Sequence, residues 1–322
     1  MTIPVIDLAH AMTPGGIATA AVAQDIRSAA MATGFFYVKN HGLAATLIDQ
    51  QFELTRQLMN LPLATRQALS IQHSKSMRGF EGLGAQKLDE TARADLKESF
   101  YCGMAYPPEH AYVLAGFHGY GGNQWPEELP QAATQCEAYI QAMLGLSRRL
   151  MQLLALSLEL PESYFDATSH SPMVTLRMLR YPPHPPDADN RTFGAGAHTD
   201  WGALTLLAQD AHGGLEVALP DGSWLAAPPL PDTLIINLGD MMPRWTNGRY
   251  RSSMHRVRNT LSGGQARYSI PFFYEPDYLA TITPVPGTIA DGEVPLFEPC
   301  TAGEHLQQMY QKTYGLLARP IT

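Results

Sequence analysis

The chain has 322 residues, 45% hydrophobic and 16% charged, with a formal net charge of -8. That supplies a large core, for one large domain or two intimately joined ones, and the acidity excludes a general nucleic-acid binder, which carries a basic stripe. Cys102, Cys136 and Cys300 are widely spaced and form no CxxC pair, which argues against a disulfide framework or a zinc–thiolate site and for a reducing cytoplasm.

At the N-terminus no basic segment precedes an apolar one, so no secretory signal is expected. No run of about 18 apolar residues offers a membrane span. Ile3-Pro4-Val5-Ile6-Asp7-Leu8 alternates like a short strand. Residues 17–33 are Ala-rich and helical, and Gly34 is a suitable stop. Phe35-Phe36-Tyr37-Val38 reads as a strand, turned by Asn40-His41-Gly42. Ile48, Phe52 and Met59 mark one face of a helix over 46–60, ended by Pro62.

Residues 70–126 are the least regular. Arg78-Gly79-Phe80 and Gly82-Leu83-Gly84 read as loop, Glu98-Ser99-Phe100-Tyr101 as a short strand, and 119–126 as a turn-rich loop. None of these glycines matches a phosphate-binding pattern. Residues 129–160 form a long helix whose Met143, Leu146, Leu150 and Leu154 are core positions. Beyond about 172 the texture changes to short strands at 174–181, 203–209, 214–218, 224–226, 233–238, 255–259 and 268–274. Turns at 187–190, 210–214, 220–222 and 262–264 separate them. Such even spacing predicts an antiparallel sandwich or barrel. A helix over 304–317 closes the chain, and no repeat or clean linker appears.

His198-Thr199-Asp200 stands just ahead of the strand at 203–209. On a strand, side chains i and i+2 leave the same face, so an imidazole and a carboxylate can converge on one ion. His255, in Met254-His255-Arg256-Val257, is a third candidate ligand. Two His and one carboxylate leave one face of a metal open, the arrangement of non-haem Fe(II) oxygenases. A 2-oxo acid chelated there needs a cation for its far carboxylate. Arg267-Tyr268-Ser269 offers a guanidinium and a hydroxyl on one strand face.

The ordered set of motifs resembles the isopenicillin N synthase-like family of Fe(II)/2-oxoglutarate-dependent oxygenases. It runs from Ile3–Leu8 and Gly34–Gly42 through Lys97-Glu98-Ser99-Phe100 and Asn123-Gln124-Trp125-Pro126. Arg180-Tyr181-Pro182-Pro183, His198-Thr199-Asp200 and Ile236-Asn237-Leu238-Gly239-Asp240 follow. It ends with Ser253-Met254-His255-Arg256-Val257 and Arg267–Phe273, so nearly the whole chain is covered. The resemblance implies an α+β fold: an N-terminal mixed region over 1–125, then over 126–322 a long helix and a double-stranded β-helix (jelly-roll) core, packed as one unit. It implies His198, Asp200 and His255 as Fe(II) ligands and Arg267 and Ser269 as the clamp for the distal carboxylate of 2-oxoglutarate. Tyr181 matches a tyrosine that reaches a co-substrate or substrate carboxylate. Leu179 stands where the plant enzymes have an Asn near the co-substrate. Phe273 matches a substrate-lining position, and Arg78 and Arg177 are candidate substrate cations. Asp240 is a candidate support for the imidazoles, with a turn role as its alternative. His184 and His212 are expected to be loop residues.

The implied activity is oxidation of a small-molecule C–H bond by O2, with 2-oxoglutarate giving succinate and CO2. Two alternatives stay open here: an O2-using Fe(II) cyclase that takes no 2-oxoglutarate, and a non-catalytic metal-binding jelly roll. The expected partner is a small, acidic or amphoteric molecule, with no nucleic acid or membrane involved and a monomer by default.

Overall fold

The computed structural model describes residues 2–15, 17–185, 189, 191–258, 264–290 and 292–314. The expected turn at 262–263, most of that at 187–190, Asn259 and the last three positions of the expected C-terminal helix lie outside them. The first half contains β1 (Val5–Asp7), α1 (Ile17–Ala32), β2 (Phe35–Lys39), α2 (Ala45–Asn60), α3 (Leu63–Ala68), β3 (Gly79–Glu81), β4 (Glu98–Cys102) and α4 (Ala111–Leu114). The long helix α5 (Ala132–Ser157) leads into β5 (Met173–Tyr181), β6 (Ala195–His198), β7 (Leu204–Gln209), β8 (Leu215–Ala218), β9 (Trp224–Ala226) and β10 (Thr233–Leu238). After these come α6 (Met241–Trp245), β11 (His255–Val257), β12 (Arg267–Glu275), β13 (Thr281–Ile282), β14 (Cys300–Thr301) and α7 (Ala302–Tyr314).

Eight strands form one sheet in the order β1-β2-β10-β7-β12-β5-β4-β3, and β6-β11-β8-β9 form a second. The two sheets make the expected jelly roll, with the site between them. N-terminal strands flank the larger sheet at both edges, so hydrogen bonding is continuous from the first half of the chain into the second. Outside that sheet lies α5, with Met143, Leu146, Leu150 and Leu154 all buried. The end of α1 follows from backbone chemistry: Gly34 sits at φ +72° and donates to the Ala29 carbonyl at 2.9 Å. A Cβ there would lie 2.1 Å from the Arg251 carbonyl, so only glycine lets the two segments meet.

The structure departs from the sequence reading at several short elements. Residues 79–81 form strand β3 rather than loop, paired with β4; the flanking glycines hide a strand whose alternation is only three residues long. The helix α6 directly after Gly239-Asp240 is unforeseen, because Pro243 and a five-residue length erase any periodic signal. The strand β6 carries small residues and no apolar alternation.

Candidate active site

His198 ends β6 and His255 begins β11, and the antiparallel register sets them directly opposite. Their ring centroids lie 4.3 Å apart. Asp200 is not on a strand, contrary to the i, i+2 expectation: β6 stops at His198, and the turn into β7 brings the carboxylate back. That turn is held where Asp240 N–H donates to the Asp200 carbonyl at 2.8 Å. One Asp200 oxygen lies 3.9 Å from His198 Nε2 and 3.6 Å from His255 Nε2. One ligand atom from each of the three residues falls within 4.8 Å of the others.

The surroundings aim these atoms. His198 Nδ1 lies 2.7 Å from the Gly196 carbonyl and His255 Nδ1 3.2 Å from that of Ser253. Each carbonyl accepts an Nδ1 proton, which leaves the Nε2 lone pairs for a metal. Thr205 and Asn237 donate to the second Asp200 oxygen at 2.6 and 2.7 Å, freeing the first. Burial, with His255 beside it, pushes His198 down to about 3, so the imidazole is a neutral ligand. Burial opposes the Asp200 charge, yet both imidazoles and the two donated hydrogen bonds hold it below the usual carboxylate range. The donor set therefore fits a divalent metal.

Register also brings together the residues expected to clamp a carboxylate. In the β12–β5 pair Arg267 faces Tyr181 and Ser269 faces Leu179. The Arg267 guanidinium is fully buried and lies 4.8 Å over the Tyr181 ring. Its Nη2 donates to Gln209 at 3.0 Å and its Nε to the His212 carbonyl at 3.3 Å. Nη1 is buried and has no partner among the described residues. A chamber of about 60 Å³ joins Arg267, Ser269 and Tyr181 to the three ligands. An unpaired guanidinium N–H so enclosed fits an incoming carboxylate. Leu179 lines the same chamber with an apolar side chain, so the amide contact of the plant enzymes has no counterpart at that position.

A second cavity, about 110 Å³, opens on the other side of His198 and Asp200 and receives Phe273, Arg78 and Arg177. Here the two arginines expected to meet substrate are engaged mainly by protein, with Arg78 Nε left buried and unpartnered among the described residues. All four terminal N–H bonds of Arg78 go to protein: the Cys102, Gly119 and Val174 carbonyls and the Thr175 hydroxyl. Arg78 clasps β5 to its neighbours and has no terminal donor left for a ligand. Arg177 is engaged by Glu81 at 2.8 Å and Ser99 at 2.9 Å, and its guanidinium stacks 4.6 Å over Tyr101. Asp240 does not touch the imidazoles. It accepts from Thr199 at 3.0 Å and Ser252 at 2.7 Å, bracing the segments that precede Asp200 and His255.

The roles of several contributors were not written in the sequence. Thr205, Asn237 and Gln209 are ordinary strand residues until the sheet closes. Lys97 lines the clamp chamber, paired with Asp95 at 2.7 Å. Burial, then Arg177, pushes its ammonium down to about 8 against the pull of Asp95. Glu275, at the end of β12, lines the second cavity.

Two imidazoles and a carboxylate on one side of a metal leave neighbouring positions for a chelating co-substrate and O2; in a jelly roll they define a non-haem metal-dependent oxygenase. Comparison narrows the class. Residues 170–276 match the 2OG-Fe(II) oxygenase superfamily, and residues 3–128 match the N-terminal region of the non-haem dioxygenase in morphine synthesis. The chain belongs to the 2OG-Fe(II) oxygenase superfamily and is an Fe(II)- and 2-oxoglutarate-dependent dioxygenase.

It is 35% identical to the 2-oxoglutarate-Fe(II) type oxidoreductase hxnY of Emericella nidulans, over 97% of this chain and 90% of that one. The 2-oxoglutarate-dependent dioxygenase caaD of Aspergillus niger is 34% identical, with 97% and 92% covered. A full-length Neurospora crassa protein, solved in complex with α-ketoglutarate and thymine, superposes with a TM-score of 0.85 at 26% identity, covering 96% of this chain and 97% of that one. These relatives weigh against the cyclase that takes no 2-oxoglutarate. Among the described residues no helix is long and apolar enough to cross a membrane.

Proposed function

We propose that His198, Asp200 and His255 hold the Fe(II), that Arg267 and Ser269 receive the distal carboxylate of 2-oxoglutarate, and that the cavity bounded by Phe273 receives the substrate. When bound, the metal with 2-oxoglutarate and O2 supplies the oxidation of one substrate C–H bond, releasing succinate and CO2. The residues of the chain do the rest. Gly196 and Ser253 keep the imidazole protons on Nδ1, and Thr205 and Asn237 keep one Asp200 oxygen turned inward. Gln209 and the Tyr181 ring fix the guanidinium plane of Arg267. Leu179, Leu207 and Val257 give the chamber between clamp and ligands part of an apolar wall, and a low-dielectric wall strengthens the polar contacts beside it.

The observation that carries this reading is the buried Arg267 Nη1, unpartnered among the described residues and in the same chamber as the three ligands. An acidic or amphoteric substrate is the expectation from Arg78 and Arg177, but protein acceptors already engage both. The test is an anaerobic titration of the Fe(II)-loaded protein with 2-oxoglutarate, following the weak visible charge-transfer band. A saturable band is expected. In Arg267→Ala the half-saturating concentration should rise by about 10²-fold, the worth of a lost charge-assisted pair. His198→Ala should lose the iron itself. Normal iron content and an unshifted titration in these variants would reject the assignment.

A further inference from the structure

Glu275 lies two residues beyond Phe273 on β12, so both side chains leave the same strand face. Both enter the cavity that His198 and Asp200 also line. Glu275 is only 9% exposed, yet no hydrogen bond or ion pair reaches its carboxyl among the described residues. Burial pushes its pKa up to about 8, a measure of how little the surroundings support its charge. Buried polar groups are normally partnered, and an unpartnered one at a site is a place for a ligand atom. The fold makes room for it. A Cβ on Gly202 would stand 2.6 Å from Glu275 Cγ, so that position stays bare to seat the side chain.

The chemistry of the missing partner follows from what surrounds the carboxyl. Arg78 borders the same cavity and acts on Glu275 through space, while its own terminal N–H bonds rest on uncharged acceptors. So little supported, the Glu275 carboxyl is held as the neutral acid at neutral pH, while the Arg78 charge is spread over its own protein acceptors. A cationic ligand would meet the Arg78 charge, and an anionic one would need a terminal N–H that Arg78 does not have left to give. A neutral hydrogen-bond donor meets neither penalty. The walls are aromatic, from Tyr101, Trp201, Phe273 and Tyr310, which favours a flat molecule. At about 110 Å³ the space is well below the ~300–1,000 Å³ of drug-sized sites, which favours a compact one.

We propose that Glu275 is a substrate-recognition residue, accepting a hydrogen bond from the ring N–H or phenolic O–H of a compact, neutral, planar substrate. The contact fixes which edge of the ring faces His198 and Asp200, and so which C–H is oxidised. It rests on the assignment of those residues to the iron site.

The test uses Glu275→Met, which keeps the volume and breaks no protein hydrogen bond. The probes are uracil, 2-pyridone and phenol, each beside its N- or O-methylated counterpart, with binding read from quenching of tryptophan emission in the Fe(II)- and 2-oxoglutarate-loaded protein. In the natural protein at least one N–H or O–H probe should bind about tenfold or more tighter than its methylated partner, the worth of one buried hydrogen bond. The N–H and O–H series separate the two donor types. In Glu275→Met the preference should vanish, with the 2-oxoglutarate charge-transfer band unchanged and the melting temperature equal or higher. Three results would overturn the proposal: no preference or no binding in any series, a preference that survives in the variant, or a variant that melts lower and so reveals a structural role. Loss of the charge-transfer band from the natural protein would instead indict the iron and co-substrate assignment.

Discussion

Asp200 can present one oxygen to the two imidazoles only because Thr205 and Asn237 occupy the other. Removing one donor leaves the carboxylate free to rotate and take its charge away from the metal. Asn237→Ala should therefore weaken Fe(II) binding by about 10–100-fold, the usual cost of losing a residue that orients a ligand. Competition with a coloured chelator measures it, and an unchanged affinity would refute the orienting role. His198, Asp200 and His255 were legible in the sequence because their types and motifs are restricted by chemistry. Thr205 and Asn237 were not, since a strand threonine and an asparagine in Ile236-Asn237-Leu238 acquire meaning only across β7 and β10, which pair Thr205 with Asn237. Arg78 shows the converse: a candidate substrate cation in the sequence, it is turned into a clasp by burial among carbonyls.

Two glycines separate local from tertiary constraint at the scale of elements. Gly145 lies exposed inside α5, with nothing within 4 Å of a Cβ built on it. Gly145→Ala should stabilise the protein by about 0.8–1 kcal/mol through helix propensity alone. Gly103 follows β4, and a Cβ there would stand 2.2 Å from both Arg78 Nη2 and the Val174 carbonyl. Gly103→Ala should destabilise by roughly 1–3 kcal/mol, because a buried guanidinium and a strand must both shift. Urea denaturation of the two variants should give changes of opposite sign; equal effects would contradict the clasp. The long elements were readable: α2 and α5 from the spacing of their apolar residues, α1 from its alanines and the Gly34 stop, and β5 from the change to short strands between turn residues. Short ones such as β3, β6 and α6 were not, because three to five residues carry too little pattern to outweigh their glycines and proline.

At the scale of the whole molecule, α7 closes one side of the proposed substrate cavity through Leu306 and Tyr310. His305 anchors that helix, its Nε2 lying 3.0 Å from the Trp201 carbonyl. Burial, then the nearby Arg244 cation, pushes the His305 pKa down to about 4. Between about 4 and 6.5 the unfolded chain binds the proton and the folded one does not, so stability falls as pH drops through that window. Above about 6.5 the contribution is fully present. Denaturation at pH 7.5 and pH 5 should show this loss, and His305→Gln, which keeps a donor without a titrating group, should flatten the difference. A slope unaltered in the variant would place the acid sensitivity elsewhere. The metal adds a second term of its own. Stripping it with a chelator should lower the melting temperature, because the ion binds the folded chain in preference to the unfolded one.

The sequence by itself pointed to the chemistry: which residue types could hold iron, which pair could take a carboxylate, and that short, evenly spaced strands follow a helical first half, the jelly roll itself being what the family resemblance implied. Those features are restricted by ligand chemistry and by the period of a strand, and both are written locally. Only the tertiary structure decided which polar groups are already satisfied. It assigned Arg78 and Arg177 to protein partners, left Arg267 Nη1 and the Glu275 carboxyl without any among the described residues, and brought Asp200 to the imidazoles through a turn rather than a strand. Satisfaction of a buried group depends on atoms tens of residues away in the chain. No local pattern encodes it, because the partners meet only when the sheets close.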